Sequence, residues 1–361
     1  MSTDGVATGT VTLDILLKEM VDKKASDLHL AVGSPPSIRV DGQLLPIEGH
    51  EALSNDALRG ILYKVLTEDQ INKFEKDREF DFSYSLPGVS RFRGNLLFQR
   101  GTLGGVFRSI PSRPLTLEEL NLPPVIQELC DRPRGLVLVT GPTGSGKSTT
   151  LAAMIDYINR NRNEHIVTIE DPIEFLHKSQ KSIVRQRELG TDTLSFAEAL
   201  KHVLRQDPDV ILVGEMRDLE TISLAVTAAE TGHLVFGTLH TTSASSTVDR
   251  VIDVFPSGQQ QQIRMQLSTT LEGVVSQTLV PKKEGHGRIC AMEILIGVPG
   301  VKNMIREGKT HQIMNMIQSG GQSGMQSLNS SLQKFVREGL ITKEAAMSKS
   351  SAPEELNLLI Q

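Results

Sequence analysis

The sequence predicts an α/β protein in two parts: a parallel sheet flanked by helices over residues 119–361, and a smaller α+β domain over residues 1–112, with a linker at 113–118. Three observations predict this. Beyond residue 119, short apolar runs alternate with helix-length amphipathic segments, the pattern of a parallel sheet covered on both faces. Before residue 112, a helical stripe is followed by strand-like runs and a hairpin signal at Asp41-Gly42. Between the two, Ile110-Pro111-Ser112-Arg113-Pro114 carries two prolines that fit neither a continuous helix nor a central strand, and Pro123-Pro124 follows.

In chain order, residues 11–25 place Leu13, Leu16, Leu17, Met20 and Val21 on one helical face, and the runs around 28–32, 38–40 and 80–84 read as strands. In the second part the buried-type strands are 136–140, 165–170, 210–213 and 234–239. Ser195 and Glu198 have the spacing of a capping box and open the helix SFAEALKHVLRQ. From Pro299 onward the chain reads as helices with no further strand.

A chain of 361 residues is long enough for two cores. No stretch approaches the roughly 18 consecutive apolar residues of a membrane span, and the first ten residues lack the pattern of a secretory signal, so a cytoplasmic location is expected. Cys130 and Cys290 have no C-x-x-C partner and read as ordinary buried thiols. The net charge of −5, the absence of Trp and only 4% aromatic residues argue against a nucleic-acid track.

The segment GPTGSGKS, Gly141 to Ser148, fits G-x-x-x-x-G-K-[ST], follows the apolar run LVLVT and precedes a helix-compatible run. Gly141, Gly144 and Gly146, with Pro142, Thr143 and Ser145 between them, let backbone N–H groups and a helix N-terminus face phosphates. Lys147 adds a mobile charge, Ser148 a hydroxyl for Mg²⁺, and Thr149 continues into the helix. The pattern predicts ATP with Mg²⁺.

A phosphate cradle alone suits a switch as well as a hydrolase, so the acids decide. Glu170 and Asp171 stand at the end of a strand in TIEDPIE, with Glu174 just past Pro172, at the edge of an open sheet where ligands bind. Glu215 ends VILVGE, where a P-loop enzyme has its magnesium-orienting acid. His233 and His240 bracket HLVFGTLH; seven residues apart, they point to opposite faces of a regular strand and make a poor metal pair. His240, with Thr241 and Thr242, is placed to sense the γ-phosphate.

Between Ser90 and Leu117 there are five arginines, Arg91, Arg93, Arg100, Arg108 and Arg113, and no Asp or Glu. In RFRGN a strand presents Arg91 and Arg93 on one face and Phe92 on the other. A guanidinium from this strip is a candidate to reach a triphosphate, including that of a neighbouring subunit.

These segments together resemble a known family. GPTGSGKSTT, TIEDPIE, VILVGEMRDLET and TGHLVFGTLHT are similar, in order, to the Walker A, Asp-box, Walker B and His-box segments of secretion and pilus ATPases. ASDLHL…GSPPSIRVDGQL and RFRGN resemble that family's N-terminal domain, and PGVKNMIREGKTHQI and GMQSLNSSLQKFVREGLIT resemble the C-terminal segment of its type IV pilus retraction (twitching motility) members. Lys302 stands where Arg is common in an AIRNLIRE-like run.

The resemblance implies a PAS-like N-terminal domain, a RecA-like P-loop ATPase domain, and a homo-hexamer with nucleotide between domains and subunits. It also implies ATP hydrolysis powering pilus retraction at an inner-membrane platform protein, on the cytoplasmic face of the inner membrane. It assigns Glu174, with Glu170 close by, to activating water, Ser148 and Glu215 to Mg²⁺, and His233 and His240 to coupling. The family's N-terminal arginines map onto some of Arg91, Arg93, Arg100 and Arg108. The alternatives are a regulatory paralogue with weak hydrolysis, or a type II secretion or pilus assembly ATPase.

Overall fold

The structure is a computed structural model, and it describes residues 11–40, 42–111 and 113–360. The chain forms two compact units, Met1–Ser112 and Arg113–Gln361.

In the first unit, helix α1 (Leu13–Asp22) is capped by Thr12, whose hydroxyl accepts the Ile15 N–H at 3.4 Å. Its 3.6-residue stripe buries Leu13, Leu16, Leu17 and Met20, while Val21 lies at the rim, half-buried. The chain continues through β1 (Asp27–Ala31), β2 (Ser37–Val40), β3 (Gln43–Pro46), α2 (Asn55–Tyr63), α3 (Glu68–Asp77), β4 (Glu79–Leu86), β5 (Ser90–Gln99) and β6 (Thr102–Ile110). The strands form one antiparallel sheet in the order β3-β2-β1-β6-β5-β4. Asp41 of the predicted turn lies outside the described residues; Gly42 has φ +84°, and Val40 pairs with Gln43 across the hairpin. Phe92 and Phe107 from the sheet and Phe74 from α3 are fully buried in this core.

Two strands of this unit escaped the sequence reading. β6 contains Gly104-Gly105, a turn signal in isolation; in the sheet, a Cβ on Gly105 would lie 3.3 Å from the Leu96 side chain and 3.4 Å from Leu62, so the glycine makes room for core packing. β3 is an exposed edge strand with no buried face to give it a pattern.

The second unit runs α4 (Val125–Cys130), β7 (Gly135–Thr140), α5 (Lys147–Asn161), β8 (His165–Glu170), β9 (Ile183–Glu188), α6 (Phe196–Val203), β10 (Val210–Val213), α7 (Leu219–Glu230), β11 (Leu234–Leu239), α8 (Ala244–Asp253), α9 (Ser257–Thr270), β12 (Leu271–Pro281) and β13 (Arg288–Ile296). Among the described residues five α-helices follow: α10 (Pro299–Arg306), α11 (Ile313–Ser319), α12 (Leu328–Arg337), α13 (Lys343–Lys349) and α14 (Pro353–Ile360). The sheet order is β13-β12-β7-β11-β10-β8-β9, parallel throughout except for β13, which returns antiparallel on β12.

The four expected strands are present, and no named strand follows Pro299 among the described residues. The sequence reading missed β9, β12 and β13. β9 is an edge strand whose Arg185 is exposed, and β12 buries Ser276 and Gln277, so neither shows an uninterrupted apolar run. The Ser195–Glu198 spacing gives only half of a capping box: Ser195 Oγ accepts the Glu198 N–H at 3.1 Å, but the Glu198 carboxylate pairs with Lys201 at 2.8 Å. The linker residue Leu117 is buried in the core of the second unit.

Candidate active site

Four adjacent parallel strands, β7, β11, β10 and β8, end toward the same side of the sheet: Thr140 pairs with Leu239, while Val213, the last residue of β10, pairs with Gly237 two residues before the end of β11 and with Ile169 one residue before the end of β8. Their next residues therefore emerge at one edge of the sheet, the usual ligand position in open α/β folds. The segment 141–146 follows β7, His240 follows β11, Gly214-Glu215 follow β10, and Glu170 to Glu174 close β8. They surround a cleft of about 200 Å³ whose lining includes Lys147, Ser148, Glu170, Glu174, Glu215 and His240.

The loop 141–146 is forced into its shape by close packing. Gly141 has φ +139°, and a Cβ there would meet the Gln277 carbonyl and lie 2.6 Å from Ser145 Oγ. Gly146 caps α5 with φ +91°. Gln277 Nε2 donates to the Ser145 carbonyl at 2.8 Å, so β12 holds the loop from below. Lys147 Nζ donates to the carbonyls of Gly141 and Pro142 at 2.8 and 3.2 Å. Burial lowers the Lys147 ammonium below its ordinary range, and the charges of Glu215 and Glu174 oppose that shift.

The acids differ in environment. Burial pushes the Glu170 carboxyl above the ordinary carboxylate range, and the Glu174 charge adds to it; Thr168 Oγ1 and Gln186 Nε2 donate to Glu170 Oε1 at 2.6 and 3.1 Å in opposition. Glu174 is exposed at the mouth of the same cleft. For Glu215, burial raises the pKa, but hydrogen bonds from Arg217 and His240 outweigh it and hold the carboxylate below its ordinary value. The His240 contact is Nε2 to Oε1 at 2.8 Å.

The structure does not bring His233 to this cleft. Both histidines lie one residue outside β11, and His233 sits at the opposite strand end, with Nδ1 2.9 Å from the Ala228 carbonyl. His240 alone joins the acids.

In the first unit, Phe92 is fully buried while Arg93 is exposed and Arg91 half-exposed, as alternation requires. Arg93 lies directly across from Arg108, and Arg108 across from Asp27, in one row of the sheet. The strip is acid-free in sequence but not in space. Arg108 bonds Asp27 at 2.8 Å, Arg93 lies 3.9 Å from Asp81, and in the second unit Arg113 grips Glu119 through two bonds of 2.8 and 2.7 Å. Arg100 is apart from this row, at the β5–β6 hairpin with φ +50°.

The profile of the Type II/IV secretion system protein family matches residues 5–320. The chain belongs to this family. A type IV pilus retractation ATPase PilT of Pseudomonas aeruginosa is 55% identical over 339 residues, which are 94% of this chain and 98% of that protein. A twitching motility protein of Neisseria gonorrhoeae is 51% identical over 345 residues, 96% of this chain and 92% of that one. The crystal structure of the pilus retraction motor PilT with bound ADP has a TM-score of 0.91 at 48% identity, covering 96% of this chain and 99% of that one.

This member of the secretion family is thus a nucleotide-binding ATPase, with an α/β, RecA-like P-loop fold preceded by a smaller α+β unit. Among the described residues no helix is long and apolar enough to cross a membrane. Residues that motif reading missed support the site from behind. Gln277 and Gln186 are polar residues on the missed strands β12 and β9, and Gly237 of β11 leaves room for the Met216 side chain. The signal for Gln277 was a short polar run, Ser276-Gln277-Thr278, flanked by apolar residues in VVSQTLV.

Proposed function

We propose that this ATPase powers type IV pilus retraction, working as a homo-hexameric ring on an inner-membrane platform protein at the cytoplasmic face. The observation that carries the reading is the 55% identity to a retraction ATPase over nearly the full length of both chains.

In this reading Gly141, Pro142, Thr143, Gly144, Ser145 and Gly146 cradle the triphosphate with their backbone, and Lys147 and the first turn of α5, with Ser148 and Thr149, face its charge. The cleft fits Mg²⁺: Ser148 and Glu215 in its lining offer hard oxygen donors, and a depressed Glu215 pKa keeps that carboxylate charged. Magnesium bound there supplies charge neutralisation for the phosphate oxygens. Glu174 takes the proton of the attacking water. It is exposed at the cleft mouth and open to water, whereas Glu170 is half-buried and its Oε1 is already engaged by Thr168 and Gln186. His240 orients Glu215, and an arginine of the first unit, Arg93 or Arg91 foremost, serves the nucleotide of a neighbouring subunit.

Expression in piliated cells that lack their own retraction ATPase tests the function. The wild-type chain restores twitching and the Lys147→Ala chain does not. No twitching from a stably expressed wild-type chain that hydrolyses ATP in vitro would refute the retraction role.

A further inference from the structure

The segment 171–182, between β8 and β9, has neither helix nor strand, yet it carries Glu174 into the cleft. Outside the regular ladders, side chains become important partners for the backbone groups of such a segment. Three do so here. Asn159 of α5 fixes the distal half, donating to the Lys178 carbonyl at 2.8 Å and accepting the Gln180 N–H at 3.0 Å. The proximal half hangs on β9. There, Glu188 Oε2 accepts the Ile173 N–H at 3.1 Å, beside Glu174. Gln186, two residues earlier and so on the same face of the strand, spans the rest.

Gln186 uses both ends of its amide. Nε2 donates to Glu170 Oε1 at 3.1 Å and to the Phe175 carbonyl at 2.8 Å, while Oε1 accepts the His177 N–H at 2.8 Å. Glu174 lies between these anchor points: its chain neighbour Phe175 and the loop residue His177 are held on one side, and Glu170 on the other. We infer that Gln186 is a positioning residue for hydrolysis, tying the Glu170 carboxylate to the backbone of the 173–177 loop and thereby fixing where Glu174 meets the attacking water. The inference rests on the reading of Glu174 as the water-activating group. The amide is needed in both senses. A carboxylate at this position faces the Phe175 carbonyl and Glu170 with acceptors only, and an apolar side chain leaves the His177 N–H and the Phe175 carbonyl without this partner. Gln186 does not contact the phosphate loop, so nucleotide binding is separable from its role.

Steady-state phosphate release and ADP affinity are measured on the full chain carrying Gln186→Met, Gln186→Glu, Glu174→Gln, or Gln186→Met with Glu174→Gln. A displacement approaching 1 Å costs about 10²-fold in rate, so both Gln186 variants lose at least ~10-fold in kcat while ADP affinity and KM stay within ~2-fold. Because Gln186 acts through Glu174, adding Gln186→Met to Glu174→Gln slows the enzyme by less than ~2-fold further. If Glu174→Gln is inactive while both Gln186 variants keep wild-type kcat, the positioning role is refuted and the Glu174 reading survives. If Glu174→Gln itself turns over normally, the Glu174 reading is what fails. Parallel loss of kcat, ADP affinity and melting temperature in both Gln186 variants would make Gln186 a folding residue only, and would overturn the inference.

Discussion

Gly214→Ala tests whether the acids of the cleft are held by backbone packing. Gly214 links β10 to Glu215, and its N–H donates to the Ile169 carbonyl of β8 at 2.7 Å. A Cβ at this position would lie 2.9 Å from that carbonyl oxygen and 3.1 Å from Glu170 Cα. Both neighbours are backbone atoms of β8, paired on both sides in the sheet, and cannot rotate away. Ordinary contact begins at 3.4 Å, so β10 and β8 must part by about 0.5 Å at the point where Glu215 and Glu170 emerge. Overpacking of this kind costs about 1–3 kcal/mol, or roughly 2–12 °C in melting temperature for a unit of this size. Catalytic geometry is more sensitive: scaling from the ~10²-fold loss for 1 Å, half that shift costs ~10-fold in kcat. Gly258→Ala, where nothing lies within 4 Å, is the control. Phosphate release, ADP affinity and calorimetric melting are compared across the three proteins. Wild-type kcat in a stable Gly214→Ala enzyme would refute the claim that this contact sets the acid geometry.

Three further outcomes follow from the same account. Glu174→Gln retains ADP binding and loses ~10² or more in phosphate release; a larger loss in Glu170→Gln would transfer the base role to Glu170. Arg93→Ala and Lys147→Ala are each nearly inactive alone, since an arginine finger is worth ~10³ or more, and mixing them under subunit exchange restores measurable turnover; no recovery there or with Arg91, Arg100 or Arg108 variants would remove the trans role. The Glu119 carboxyl, held down to about 2 by Arg113 and the Thr116 N–H against a usual 4.5, stabilises the native state above about 4.5, and this contribution fades as pH falls toward about 2. The melting temperature of Glu119→Gln is therefore below wild type at pH 6, and the gap closes on acidification; a gap independent of pH would contradict the linkage.

The strands that motif reading found are those whose apolar runs are buried on both faces, and they carry the phosphate loop, Glu170, Glu215 and His240 on their ends. Strand order then brings these residues together, which spacing along the chain does not encode. Sequence pattern fails where packing replaces it. The edge strand β9 reads as the polar run IVRQRE, yet Gln186 and Glu188 on one of its faces organise the loop that bears Glu174. Likewise β12 interrupts its apolar residues with Ser276 and Gln277, because their partners are Thr140 and the Ser145 carbonyl. The arginine strip shows the opposite limit: it lacks acids over residues 90–117, but the sheet register sets Asp27 beside Arg108, and β4 supplies Asp81 near Arg93. His233 has a motif position as clear as that of His240, and only the direction of β11 separates them.

Steady-state phosphate release from the purified full chain reads out whether the cleft at the ends of β7, β11, β10 and β8 hydrolyses ATP. Turnover is expected with ATP and Mg²⁺, its arrest by EDTA with recovery on added Mg²⁺, and its loss in Lys147→Ala, which removes a charge bonded into the loop 141–146. Phosphate release by a folded Lys147→Ala protein at the wild-type rate would contradict this expectation.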